Sequence, residues 1–160
     1  MAGNQQIDRT FVVRRALSGM PLGRDIVAHS GLLLLTQDSN YYLIERLVGN
    51  EEVGFREVDI FVDKVYSTHQ VIVMNGLKWT KQLRGEAVLR VCTVDEARTF
   101  FETHIREIKY DPQDNNCHSA QEHLRRWLGQ SVSEDRPFTK ATKKFASWFP
   151  TSLVRSSLPN

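Results

Sequence analysis

The chain has 160 residues, 41% of them hydrophobic, the make-up of one ordinary soluble domain with a sizeable core. A net charge of +2 is too small to imply a nucleic-acid partner, and the basic residues are scattered apart from Arg14-Arg15 and a C-terminal group. Two cysteines, Cys92 in an apolar strand pattern and Cys117 in a polar loop-helix junction, do not make a disulfide framework.

The start, Met1-Ala2-Gly3-Asn4-Gln5-Gln6, lacks the charged and apolar stretches of a secretory signal, so the cytoplasm is the expected compartment. Thr10 to Leu17 reads as a short helix or an edge strand, because Phe11, Val12 and Val13 give no clean period. Ser18 to Gly23 is a turn cluster. Asp25 to Thr36 is then a strand by length and content, an aliphatic run interrupted by one imidazole, His29. Asn40 to Leu47 is a second strand, and Gln37-Asp38-Ser39-Asn40 between them is turn-like, so the two form a hairpin. Folded about its middle, residues whose numbers sum to about 74 face each other, which sets Glu45 opposite His29 on one face.

Val48 to Gly54 reads as a polar connection, and Phe55 to Val62 alternates well enough for a third strand. His69 to Met74 gives a fourth, closed by an Asn75-Gly76 turn. Leu77 to Lys81 and Glu86 to Cys92 suggest further sheet, split by Gly85. Thr93-Val94-Asp95-Glu96 has the form of a capping box, and Ala97, Phe100, Phe101, Ile105 and Ile108 follow at helical spacing, so a helix runs from about Asp95 to Ile108. His104 lies on or beside that stripe and reads as a packed or half-exposed side chain.

A second helix is expected to begin at about Cys117. Pro112 disfavours helix at Asp111, Asn115 or Asn116 can cap the first turn, and Gly129 is placed to end it. Ala120, Leu124, Trp127 and Leu128 form its apolar stripe, with Ser119, Glu122, Arg125 and Arg126 on the other side. Residues 131 to 137 read as a linker, and Thr139 to Phe149 as a short basic, aromatic segment ended by Pro150. That segment is expected either to dock on the sheet through Phe145, Trp148 and Phe149 or to touch a partner or a membrane surface. The expected organisation is thus a domain over 1 to 130 and an appended segment over 131 to 160.

The chemistry is carried by Cys117. A helix start stabilises an anion, which lowers a thiol pKa, and the thiolate is the nucleophile. A nucleophilic cysteine needs a base, for which His29 is the candidate, with Glu45 to hold its tautomer. An oxyanion would be met by the backbone N–H of Cys117, with Asn116, Asn115 or Gln113 as side-chain donors. Metal binding by Cys117, His118 and His123 is the rival chemistry. Adjacent residues on a helix diverge, and 118 and 123 are five apart where three or four would align ligands, so no metal and no cofactor is expected.

The order His29 then Cys117 resembles the circularly permuted papain-fold thiol enzymes, an NlpC-type group in which the histidine strand precedes the cysteine helix. Tyr110, Asn116-Cys117 and Leu124-Arg125 are similar to the Tyr…Asn-Cys…Leu-Arg block of lecithin:retinol acyltransferase-like proteins. His29-Ser30-Gly31, the aromatic-rich strand ending in Glu45, and Leu128-Gly129 after the cysteine helix are closer to the PPPDE desumoylating isopeptidases. The chain departs from both in having His118-Ser119-Ala120 directly after the cysteine, where an acidic residue or asparagine and then His-Phe are common. The resemblance implies an α+β fold in which an antiparallel sheet packs against the cysteine helix. The activity it implies is a Cys-His hydrolase cleaving peptide or isopeptide bonds of a protein or peptide substrate. The alternatives are a thiol acyltransferase or phospholipase with a lipid contact through the C-terminal segment, and a non-enzymatic adaptor that keeps the fold.

Overall fold

A computed structural model describes residues 4–16, 28–47, 52–109 and 116–132. The C-terminal segment, and Tyr110, Gln113 and Asn115 of the loop before Cys117, lie outside the described residues. The element order is β1 (Ile7–Ala16), β2 (Ala28–Thr36), β3 (Tyr41–Arg46), β4 (Val53–Val58), β5 (Phe61–Val65), β6 (His69–Met74), β7 (Leu77–Gln82), β8 (Glu86–Ala87), α1 (Val94–Glu107) and α2 (Cys117–Trp127). The protein is α+β, and among the described residues an antiparallel sheet runs β4-β3-β2-β1-β7-β6-β5, with β8 also pairing with β1.

β4 and β5 lie at opposite ends of that order, yet only Asp59 and Ile60 separate them in the chain. Three peptide steps span at most about 11 Å, so the sheet must curl until the end of β4 and the start of β5 come together. The curl gives the sheet a concave face filled by Phe11, Val13, Leu33, Leu43, Val58, Ile72, Met74 and Trp79. Its other face is covered by the helices, through Val94, Ala97, Phe101 and Ile105 of α1 and Ala120 and Leu124 of α2 packed on Val12, Leu32, Leu34, Tyr42 and Ile44. Strand alternation sends odd and even residues of β2 to the two faces, and because both are covered the strand reads as an unbroken leucine run.

The same double burial explains β1. Phe11, Val12 and Val13 are all buried, so the segment has no period, and it is a central strand, neither a helix nor an edge. Three further expectations are corrected. Phe55 to Val62 is two strands on opposite edges of the sheet, divided at Asp59-Ile60. Of Glu86 to Cys92 only Glu86–Ala87 pairs as strand; Leu89 and Val91 are exposed, and Leu89 N–H and Arg90 N–H donate to the Leu128 carbonyl at the end of α2, so Cys92 is buried but not in a strand. On α2, Glu122 and Arg125 are buried, Arg125 reaching Glu86, because β8 and the chain after it cover the side expected to face water.

Local signals placed the helices and turns. Thr93 Oγ1 accepts from Glu96 N–H while the Glu96 carboxylate accepts from Thr93 N–H, the capping box expected at α1. Asn75 and Gly76 take φ of 51° and 75°, the left-handed pair that turns β6 into β7. Gly129, at φ 83°, ends α2.

Candidate active site

The β2-β3 hairpin pairs Leu32 with Ile44, Leu33 with Leu43, Leu34 with Tyr42 and Leu35 with Tyr41, so facing residues sum to 76 rather than 74. The turn centres on Asp38 because Thr36 N–H donates to Asn40 O at 2.9 Å, one residue later than a fold about the segment's middle. A shift of two preserves the face, since side chains alternate with period two. His29 is therefore the diagonal neighbour of Glu45, and its Nε2–H donates to Glu45 Oε1 at 2.9 Å.

Both strand neighbours of Glu45 are glycines. Gly54 pairs with it on β4, and a Cβ there would come within 2.8 Å of Glu45 Cγ. On β2, a Cβ at Gly31 would sit 3.3 Å from Glu45 Cβ. The missing side chains leave the slot in which the carboxylate bends toward His29. Leu32, Leu33 and Leu34 anchor β2 beside it and are fully buried. At about 1.5–3 kcal/mol for each such side chain, they offset part of the several kcal/mol per ion that burying a charged pair costs.

Asn116 is the N-cap of α2, its Oδ1 accepting from His118 N–H at 2.9 Å and Ser119 N–H at 3.0 Å, while Ser119 Oγ accepts from Asn116 N–H at 2.8 Å. The cap is Asn116 rather than Asn115, and it starts the helix at Cys117. With Oδ1 committed to the helix, the Asn116 side chain can meet an oxyanion only through its Nδ2 group. Neither Gln113 nor Asn115 falls among the described residues.

Cys117 lies near enough to His29 for each to shift the other's proton affinity, although no hydrogen bond of ordinary geometry joins them. Glu45 occupies Nε2, so Nδ1 is the ring nitrogen left to face a thiol, and it is buried without a hydrogen-bond partner. Burial alone would lower the His29 pKa, but Cys117 and Glu45 outweigh it and raise it from 6.5 to about 9. Burial would raise the Cys117 thiol, yet His118 and then His29 hold it well below its ordinary value. Burial would also raise Glu45, and the His29 bond with the charges of His29, Arg15 and Arg56 brings it down. The three directions agree in favouring thiolate, imidazolium and carboxylate. Cys92 is the contrast, since burial and Glu96 push it up to about 11.

Sequence reasoning set His118 aside because neighbouring helix residues diverge. It is buried in the first turn of α2 and is the strongest influence favouring the Cys117 thiolate. Trp79 and Arg15 were not singled out for the site. The Trp79 ring lies edge-on to His29 at 5.9 Å, and Arg15 is paired opposite His29 across β1 and β2. The doublet Arg14-Arg15 was visible; its place beside His29 depends on strand pairing that no local pattern encodes. His123 is exposed and stacks on His104 at 3.8 Å, apart from Cys117, and the described residues hold no group of three His, Cys, Asp or Glu arranged to bind a metal.

Cys117 is 3% exposed. A cavity of about 290 Å³ lined by Asn40, Tyr41, Val58, Asp59 and Phe61 lies at the turn end of the hairpin, away from His29. Among the described residues no helix is long and apolar enough to cross a membrane. No family model, curated protein or solved structure matches the chain.

Proposed function

We propose that the protein is a cysteine hydrolase that cleaves amide bonds, peptide or isopeptide, through a thioester on Cys117, on a permuted papain-like fold. The observation that carries this reading is the meeting of Cys117, His29 and Glu45, from three elements, with the thiol pKa pulled down and the imidazole pKa pushed up. A buried cysteine serving only as core would behave as Cys92 does.

In the reaction the Cys117 thiolate attacks the carbonyl carbon, and the C=O π electrons move onto oxygen, where the Cys117 backbone N–H at the helix start meets the charge. As the oxyanion collapses, the C–N bond breaks and the His29 imidazolium gives its Nδ1 proton to the departing amine. Water then attacks the thioester while neutral His29 takes its proton, releasing a carboxylic acid and restoring the thiolate-imidazolium pair. Glu45 keeps the second proton on Nε2 throughout, so that Nδ1 faces the sulfur.

Iodoacetamide near neutral pH is expected to label Cys117 much faster than Cys92, and labelled peptide or ubiquitin-like amide substrates are expected to be cut in a Cys117-dependent manner. Equal, sluggish labelling of both thiols would favour an adaptor that keeps the fold. An acyl-enzyme accumulating on labelled phospholipid would instead assign the same thioester chemistry to an acyltransferase or phospholipase.

A further inference from the structure

The face that presents His29 and Glu45 also presents Arg15, which alternates in step with Val13 on the concave side of the sheet. The Arg15 guanidinium lies 5.1 Å from the centre of the Trp79 ring, and that ring stands 5.9 Å from the His29 imidazole. Trp79 is 2% exposed, so the guanidinium rests on a fixed plate. Its Nε is buried and donates no hydrogen bond, and among the described residues no carboxylate lies within ion-pair distance of it. Glu45 is near enough for its charge to be felt, yet it is spent on His29. A guanidinium holds its donors in a planar fork that matches a carboxylate, and a buried donor without a partner is costly unless a ligand supplies one.

We propose that Arg15 is the receptor for a carboxylate carried by the substrate close to the carbon that Cys117 attacks. This rests on the thiol-hydrolase reading and narrows its substrate class to anionic donors. Trp79 backs the guanidinium, its Nε–H lacks a partner until a ligand oxygen supplies one, and the same positive charge favours the Cys117 thiolate. Arg15 thereby joins the site as a specificity residue that takes no part in proton transfer.

The test uses two alkylating agents of nearly equal shape, iodoacetate and iodoacetamide. Each forms a sulfur–carbon bond at Cys117 as the carbon–iodine bond breaks and iodide leaves with the pair. The ratio of the iodoacetate rate to the iodoacetamide rate is expected to fall roughly tenfold to a hundredfold in Arg15→Gln, the iodoacetamide rate in each protein serving as the reference that cancels any change in the thiolate itself. His29 attracts iodoacetate too, but equally in both proteins. Arg15→Lys, which keeps the charge and loses the fork, is expected to lie between. An unchanged ratio with brisk labelling overturns the Arg15 assignment alone, whereas a Cys117 inert to both reagents overturns the thiol reading and the assignment with it. Should Arg15→Gln not fold, protection of the unaltered protein from iodoacetamide by acetate but not acetamide carries the assignment, and equal protection removes it. Thioesters of succinate and of mercaptoacetate place the carboxylate on the acyl and the departing half. A selective loss in Arg15→Gln on either supports the receptor, and loss on neither refutes it.

Discussion

His29 and His104 are both packed against rings in a poorly hydrated setting, and their proton affinities move in opposite directions. His29 stands beside Trp79 and bonds to Glu45, and its pKa rises to about 9. His104, on α1, stacks on His123 of α2 at 3.8 Å, and His123 stacks in turn on Phe100; burial, His123 and Arg46 bring the His104 pKa down to about 4. Burial acts against the charged form in both places. The difference lies in the partners, a carboxylate and a thiol at His29 against a second imidazole from α2 and an arginine from the end of β3 at His104. One histidine is built to keep a proton at neutral pH and the other to be without one.

The largest blow to this contrast would come from His29→Ala. Amide hydrolysis is expected to fall by about 10²–10⁴-fold, read as kcat/KM on a peptide substrate, and iodoacetamide labelling of Cys117 should slow with it; an unchanged rate would sink the dyad. Glu45→Gln removes the charge but keeps the shape. The rate is expected to drop by roughly tenfold to a hundredfold, less than for loss of the base itself, and the His29 pKa should move down from about 9 when followed by NMR titration. A pKa that stayed put would mean that the thiolate alone sets it.

Gly54→Ala sharpens the same point through packing. The new methyl carbon would crowd Glu45 Cγ at 2.8 Å, so denaturant unfolding should show a loss of about 1–3 kcal/mol together with a smaller fall in rate than Glu45→Gln gives. Stability loss without any change in the His29 titration would mean that the carboxylate does not need its glycine slot.

The smallest effect is a matter of pH. The folded-state pKa of His104 lies below its ordinary 6.5, so its contribution to stability is present above about 6.5 and is lost as pH falls through about 4. His29 runs the other way, its contribution present below 6.5 and lost as pH rises through about 9. His104→Phe keeps a ring on His123, and the fall in Tm between neutral and mildly acid pH should shrink in that variant; an identical acid slope would remove His104 from the account.

Much of the site could be read in the chain because its signals are local. An asparagine before Cys117, a glycine after Leu128 and an aliphatic run around His29 each determine backbone within a few residues. Even the Glu45 contact survived a misplaced turn, since a two-residue error keeps the face. What could not be read depends on distant pairing. Nothing near Arg15 says that β7 will bring Trp79 under it, and nothing near Phe55 to Val62 says that the chain will pass from one edge strand to the other at Asp59-Ile60. The unbroken Phe11-Val12-Val13 run hid β1 for the opposite reason, that being covered on both sides erases periodicity.

The burial of Leu32, Leu33 and Leu34 on both sides of β2 has one more consequence. A strand gripped from above and below cannot slide or fray without opening the whole molecule, and His29 is fixed to that strand. Heating should therefore leave the reactive end intact until the molecule melts, with catalytic power and overall structure vanishing in a single step.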